Sequence, residues 1–460
     1  MPDGSAGPVL PVADACRWLV LAVVVAAQFM FVVDAFIVNV ALPSVAADLK
    51  AGPGEMEAVI AVYQASYAAL VIIGGRLGDI HSRRPTFIAG VLGFTAASAW
   101  CGLAGSATGL ILARLAQGAT AAMMVPQVLA TLHVLFPGPE RSRAFAIFGI
   151  ALGTGGATGF LLGGWLVTLD PVGLGWRAIF LVNLPVGVLI ALAACRLMPQ
   201  LPTRRGTKLD LGGAALLFIG LLGLLGPVLA GRRLGWPAWV WAVAGGAGVA
   251  LLGFVALERR VQRRGGQPLL DLELLREEQF RHGLAIAACF QFGNVAFYLV
   301  ANLVMQGRLA LTPLQSGASI LPLAIAFTIA SQLAARWTAR HGTRVLLWGC
   351  AGQLAGLVAF GELAQNPAGT ILVVTLAVFG FGQGLVMAPL AGLVLARATP
   401  TQAGAASGLL NTVQQASGAV GVTAVGLAYA TGGLEGGLWL LGSSIVGTAV
   451  LLVGWRDVER

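Results

Sequence analysis

Phe29-Met30-Phe31-Val32-Val33-Asp34-Ala35-Phe36-Ile37-Val38-Asn39-Val40-Ala41-Leu42-Pro43 places a carboxylate inside an otherwise apolar run. From Trp18 to Leu42 Asp34 is the only charge, and a run of that length crosses the hydrocarbon core of a bilayer as a helix. An acid at such depth costs about 2.5 to 3.5 kcal/mol on insertion scales, so it is by default a candidate for function. The same apolar character holds along the chain, with 57% hydrophobic residues, 10% charged residues and a mean hydropathy of +0.85. That composition excludes a soluble globular protein and predicts an all-α integral membrane protein.

The formal net charge of +9 would suggest nucleic acid in a soluble chain. Here the basic residues fall in short gaps between apolar segments, where they report topology, and no nucleic-acid partner is expected. Cys16, Cys101, Cys195, Cys289 and Cys350 are single residues without metal or redox spacing, and His81, His133, His282 and His341 are isolated from one another. Neither a metal nor a cofactor is expected. The first 17 residues lack the pattern of a cleaved signal. An enzyme would need a Ser/His, paired-acid or metal constellation at one depth, and a receptor would need a soluble domain. The sequence offers neither, so a transporter is the leading reading.

Apolar runs of about 20 residues give fourteen spans. They are Trp18 to Leu42, Glu57 to Gly75, Thr86 to Ala104, Thr108 to Leu132, Ala144 to Leu169, Ala178 to Leu197, Leu211 to Ala230, Pro237 to Leu257, His282 to Met305, Ser316 to Ala335, Val345 to Leu363, Gly369 to Ala396, Ala403 to Ala430 and Leu434 to Trp455. With both termini cytoplasmic, the outer loops hold only Lys50, Arg177, Arg232, Arg233 and Arg308, and every other basic residue except Arg114 lies inside. Spans 7 and 8 carry almost no polar residues and read as peripheral, lipid-facing helices without chemistry. Residues 262–280 read as an amphipathic inner connector, helical along Leu269 to Leu275.

An internal repeat is visible. Arg76-Leu77-Gly78-Asp79-Ile80-His81-Ser82-Arg83-Arg84 aligns with Arg336-Trp337-Thr338-Ala339-Arg340-His341-Gly342-Thr343-Arg344, and Gln117-Gly118 aligns with Gln383-Gly384. Two parallel six-helix halves follow, residues 1–197 and 282–460, with a two-helix insertion and cytoplasmic connector at 198–281.

These residues resemble a known family. Gly75-Arg76-Leu77-Gly78-Asp79 with Arg83-Arg84 resembles the inner-loop motif of the major facilitator superfamily, and Arg114-Leu115-Ala116-Gln117-Gly118 its fourth-helix motif. Asp34 to Pro43 and Trp176-Arg177-Ala178-Ile179-Phe180-Leu181-Val182-Asn183-Leu184-Pro185-Val186-Gly187 are similar to the fourteen-helix drug:proton antiporter branch, of QacA/EmrB type. The resemblance implies a major facilitator fold and proton-coupled export of small lipophilic compounds, by a monomer in the bacterial cytoplasmic membrane. An importer or an uncoupled facilitator is the alternative. The departures are Ile80 in place of a basic residue, Ser82 in place of glycine, and Phe160 in place of the proline of the antiporter motif.

Asp34, eight residues before the outer end of span 1, and Arg114, six after the outer start of span 4, share a depth of roughly 9 to 12 Å. Contact between them is allowed, and a carboxylate whose access to water or to a guanidinium changes between two conformations exchanges a proton. Asp34 and Arg114 are therefore the candidates for proton coupling; a fixed pair that merely holds the bundle together is the alternative. On this reading Asp34 is the only acid deep in the membrane, and with no second buried carboxylate the expected cargo is neutral, zwitterionic or monocationic. The resemblance implies that Gly75, Arg76, Gly78, Asp79, Arg83 and Arg84 form the cytoplasmic gate; a solvated loop whose arginines serve topology alone is the alternative. Gly155, Gly159, Gly163 and Gly164 allow close helix approach, either as a sliding surface between halves or as ordinary packing. For the substrate cavity the candidates are Gln28, Tyr63, Gln64, Tyr67, Gln291, Asn294 and Gln415, with Gln127, Tyr298, Gln332, Asn411 and Gln414 as further polar residues within spans.

Overall fold

In hydrocarbon every backbone polar group must be paired within the chain, so long apolar runs become helices. A computed structural model describes residues 14–136, 139–200, 210–235, 237–266, 268–269, 274–365, 369–395 and 403–459, and among them there is no strand. The helices are α1 (Asp14–Leu49), α2 (Pro53–His81), α3 (Arg83–Gly102), α4 (Ala107–Leu135), α5 (Pro139–Leu169), α6 (Ala178–Leu181), α7 (Asn183–Leu197), α8 (Leu211–Leu234), α9 (Ala238–Arg263), α10 (Glu278–Leu303), α11 (Pro313–Ser319), α12 (Leu321–His341), α13 (Arg344–Gln365), α14 (Gly369–Leu395) and α15 (Ala403–Glu459).

Twelve described helices are long and apolar enough to cross a membrane, and Leu211–Pro227 is a shorter apolar helix. One of the twelve, α15, contains two crossings. Gly433 has φ 64°, and a Cβ on Gly436 would lie 2.4 Å from the Ala428 carbonyl oxygen, a contact that only a reversal of the chain allows. Fourteen crossings result, in line with the sequence. The helices run past the apolar spans, as at Pro53–His81 against Glu57 to Gly75, because helical pairing continues into the interface.

α1–α7 pack into one bundle and α10–α15 into another. The repeat in sequence is a repeat in packing. A Cβ on Gly118 would lie 2.3 Å from the Tyr63 carbonyl where α4 crosses α2, and one on Gly384 would lie 2.4 Å from the Phe327 carbonyl where α14 crosses α12. Each Gln-Gly pair thus marks a crossing too close for any side chain. The turns between α2 and α3 and between α12 and α13 also correspond. Ser82 takes φ 79° and ψ 145°, and its counterpart Gly342 takes φ 58° and ψ −143°.

The insertion departs from expectation. α9 does turn an apolar face outward, with Trp241 63% and Leu252 72% exposed. α8, however, lies over the line where the halves meet, its Leu222 and Leu225 against Ala61 and Ala65 of α2 and Ala419 of α15. Glu258 of α9 is fully buried, and Glu57 of α2 is only 6% exposed. Asp34 is therefore not the only buried acid: α8 and α15 cover side chains that hydropathy placed at span ends. In the connector, Leu269 and Leu274 are buried and a single 3-10 turn spans Leu274–Arg276; residues 270–273 lie outside the described residues.

A non-glycine residue in the backbone region of Ser82 costs about 1 to 3 kcal/mol. Ser82→Gly is expected to raise the melting temperature of the purified protein and Gly342→Ser to lower it, as measured by thermal unfolding in detergent.

Candidate functional site

Asp34 lies midway along α1, and its carboxylate accepts from two other helices. Arg114 Nη1 on α4 donates to Oδ2 at 2.6 Å, and Gln117 Nε2, one turn further, donates to Oδ1 at 2.9 Å. Asn183 Nδ2, at the start of α7, donates to the same Oδ1 at 2.8 Å. Ser98 Oγ on α3 accepts from Gln117 Nε2 at 3.0 Å and Asn183 Nδ2 at 2.9 Å, and donates to the Phe180 carbonyl at 3.1 Å. Arg114 Nη1 also reaches Gln117 Oε1 at 2.7 Å and its Nε reaches the Val59 carbonyl of α2 at 3.2 Å. The guanidinium carbon stands 4.0 Å from the centre of the Tyr63 ring. Asp34, Arg114, Gln117 and Ser98 are all at 0% exposure.

The spacing of these groups explains their meeting. Arg114 and Gln117 are three residues apart and so share one face of α4. A buried ion pair is costly unless its other polar atoms are also matched: Gln117 and Asn183 satisfy the carboxylate and Gln117 and the Val59 carbonyl take two donors of the guanidinium, while Arg114 Nη2 has no hydrogen-bond partner among the described residues. The Asp34–Arg114 contact that their shared depth allows is present. Gln117 appeared in the sequence as a repeat marker and within the fourth-helix motif, and neither it, Asn183 nor Ser98 carried a site assignment. Asn183 could have been found from its motif, whose other polar residues also serve α1: Trp176 Nε1 and Arg177 Nη1 donate to Asp48 Oδ2 at 2.9 and 2.7 Å.

Pro43 gives α1 a second role. Lacking an N–H, it cannot bond the carbonyl four residues back, which belongs to Asn39. The Asn302 side chain of α10 donates to that freed carbonyl, and Gln306 Nε2 donates to the Val40 carbonyl at 2.8 Å. Nearby, the Leu314 amide donates to Thr168 Oγ1 at 2.9 Å. The halves are thus tied together at the arginine-poor end. At mid-depth Asn411 Nδ2 donates to the Tyr67 hydroxyl at 3.3 Å, and Thr412 Oγ1 to the Ala68 carbonyl at 3.4 Å.

The inner-loop residues bind largely within the first half. Asp79 and Arg83 pair at 3.6 Å, Arg83 Nη1 donates to the Ala130 carbonyl at 2.8 Å, and Arg84 donates to the Cys195 carbonyl. Gly78 faces the Gln127 amide, 1.9 Å from where a Cβ would stand, and Gly75 faces Pro126. Arg76 leaves the bundle and donates to the Pro268 carbonyl of the connector.

Of the α5 glycines, three pack on α1 rather than on the other half. A Cβ on Gly155, Gly159 or Gly163 would come within 2.9 Å of Val32, the Val33 carbonyl or Ile37. Gly164 alone of the four meets the second half, 2.5 Å from the Pro313 carbonyl. Phe160 lies between the halves, its ring 5.7 Å from Phe36 and 5.4 Å from Tyr298.

The cavity candidates divide. Tyr63 belongs to the ion-pair site, and Gln64 faces Gly418 while Tyr67 meets Asn411, both across the α2/α15 seam. Gln291 accepts from Asn294 at 3.4 Å, and Asn294 accepts from Gln383, which also accepts from the Tyr298 hydroxyl at 3.1 Å. This cluster repeats around Gln383 what Gln117 does in the first half, with amides and a phenol in place of the charges. Gln28 is buried in α1 and Gln415 half-buried on α15. Gln127 ties two helices together: its amide donates to the Gly74 carbonyl at 2.7 Å and holds α4 to α2. Gln332 is exposed on α12.

The Major Facilitator Superfamily model matches residues 24–220 and 211–422. Among curated relatives, a probable actinorhodin transporter of Streptomyces coelicolor is 37% identical over 93% of this chain and 75% of its own. A puromycin resistance protein of Streptomyces alboniger is 36% identical over 92% and 84%, and a multidrug resistance protein of Mycobacterium tuberculosis is 31% identical over 86% and 73%. Of solved structures, a D-xylose-proton symporter superposes with a TM-score of 0.67 at 14% identity over 95% of this chain and 97% of that one, a likeness of fold alone. With its two structurally repeated bundles and a matching family model across both, the chain belongs to the major facilitator superfamily.

Proposed function

We propose that this transporter exports small lipophilic compounds of antibiotic size across the bacterial cytoplasmic membrane in exchange for protons, by alternating access of its two halves. The observation that carries the reading is the fully buried Asp34–Arg114 pair at 2.6 Å, a carboxylate kept at depth by donors alone. The names of the relatives, which concern actinorhodin, puromycin and multidrug resistance, support the class of cargo. Divided at residues 197 and 281, the chain acts as a first half, an insertion and a second half, with the arginine-rich end and both termini cytoplasmic, and it works as a monomer.

On this reading the present conformation, tied at the arginine-poor end, is the one that has released its proton. Uptake at Asp34 in the opposite conformation neutralises the carboxylate and loosens its hold on Arg114. Tyr63 lies under that guanidinium and 6.0 Å from Phe31, and Phe31 is 5.1 Å from Tyr67 at the α2/α15 seam. A change at Arg114 therefore reaches the surface between the halves through packed rings. Phe36, Phe160 and Tyr298 offer a second aromatic wall suited to a lipophilic cargo. The argument against dications from the absence of other buried carboxylates does not hold, since Glu57 is buried where α2 meets Gly426 of α15.

Asp34→Asn is expected to abolish efflux of every transported dye or antibiotic in a panel while leaving the amount of protein in the membrane near normal. A protonophore is expected to reduce wild-type efflux to the same floor. Transport that survives both would overturn the coupling. Asn183→Leu removes one donor to Asp34 and leaves Ser98 short of a partner, at a cost of about 1 to 3 kcal/mol. It is expected to displace the pH profile of efflux in everted vesicles, a change that a purely structural role would not produce.

A further inference from the structure

The insertion is held at its arginine-rich end by charged groups. Arg76, at the end of α2, donates to the Pro268 carbonyl and lies in the electrostatic field of Glu258, Asp210 and Asp79. Glu258 is fully buried on α9, and Asp210 caps α8, its Oδ1 accepting from the Gly213 amide at 2.8 Å. A Cβ on Gly213 would stand 2.5 Å from Glu258 Oε1 and 2.8 Å from Asp210 Oδ2, so both carboxylates converge on the space that this glycine leaves free. A cation from α2 thus donates to a carbonyl of the connector and sits within the field of two acids of the insertion.

From that anchor α8 runs along the α2/α15 seam. Under Leu222 and Leu225, Ala61, Ala65 and Ala419 are at most 1% exposed. The opposite seam, between α5 and α12, has no covering helix among the described residues. There Gly153 is half-buried with Thr328 Oγ1 3.7 Å from where its Cβ would be, and Gly149 meets nothing within 4 Å. Ile150, Ile325 and Ile329 stand 62%, 60% and 51% exposed beside it. One side of the molecule is sealed by an added helix, and the other is not.

We propose that the insertion is clamped to the first half through Arg76, Glu258, Asp210 and Pro268 and seals the α2/α15 seam against lipid, which leaves the α5/α12 seam as the lateral way in for a membrane-dissolved amphiphile. The identity of that amphiphile rests on the export reading; the seal does not. The experiment accordingly needs no substrate. In a background with the five native cysteines replaced by alanine, Ala65→Cys and Gly153→Cys are labelled with N-(1-pyrenyl)maleimide in nanodiscs of phosphatidylethanolamine and phosphatidylglycerol. Gly153→Cys is expected to react about tenfold faster or more, since Ala65 is reached only by local opening of α8. Adding Arg76→Gln, Glu258→Gln or Asp210→Asn should accelerate Ala65→Cys alone, and the exchange of Arg76→Glu with Glu258→Arg should slow it again. Equal rates at the two cysteines, or a rate at Ala65→Cys indifferent to all three neutral variants, would overturn the proposal.

Discussion

A carboxylate and a guanidinium cannot both be taken out of water unless each finds nearly every partner it needs, and the first half of this protein is arranged to meet that demand at one point. Asp34 accepts from Arg114, Gln117 and Asn183, and Ser98 closes the network from a fourth helix. Withdrawing any member leaves a buried polar group unmatched, a larger loss than the bond itself is worth. The positions of α1, α3, α4 and α7 are therefore fixed against one another by chemistry, where apolar contact alone would allow them to slide.

Around that point, the absence of an atom does as much as its presence. Pro43 lacks an amide hydrogen, which leaves the Asn39 carbonyl available to α10 across the seam. Gly118 and Gly384 lack side chains, which lets α4 and α14 cross their neighbours in contact with carbonyl oxygens. Between helices in lipid there is no hydrophobic drive, so closeness of approach and hydrogen bonding must supply cohesion. The glycine row of α5 serves this end within the first half, against α1, while Gly164 carries the contact between halves.

The insertion changes the symmetry of the molecule. Two related bundles alone would present two similar seams to lipid, but α8 occupies one of them. Burial of Glu258 follows from that placement, because α9 packs on α8 and turns this carboxylate toward Gly213 of α8. Arg76 then has a role apart from that of Asp79, Arg83 and Arg84, although all four belong to one short motif.

The sequence by itself determined the class of structure, because hydrocarbon allows so few choices: apolar runs of fixed length must be helices, fourteen of them cross, and their repeat implies paired bundles. It also singled out Asp34 and Arg114, since charge within an apolar run is conspicuous. Ser82 against Gly342 was legible as a departure, and its cost became clear only with the positive φ. Uncharged polar residues were another matter. Gln117, Gln127 and Asn183 look alike in a list of membrane-buried amides, yet one binds the ion pair, one joins two helices and one completes the acid's shell. Their roles depend on which neighbour lies across a few ångströms, and so did the burial of Glu57 and Glu258. Only the tertiary structure decided these, because contacts between distant helices are set by how whole faces pack and leave no period in the chain to read.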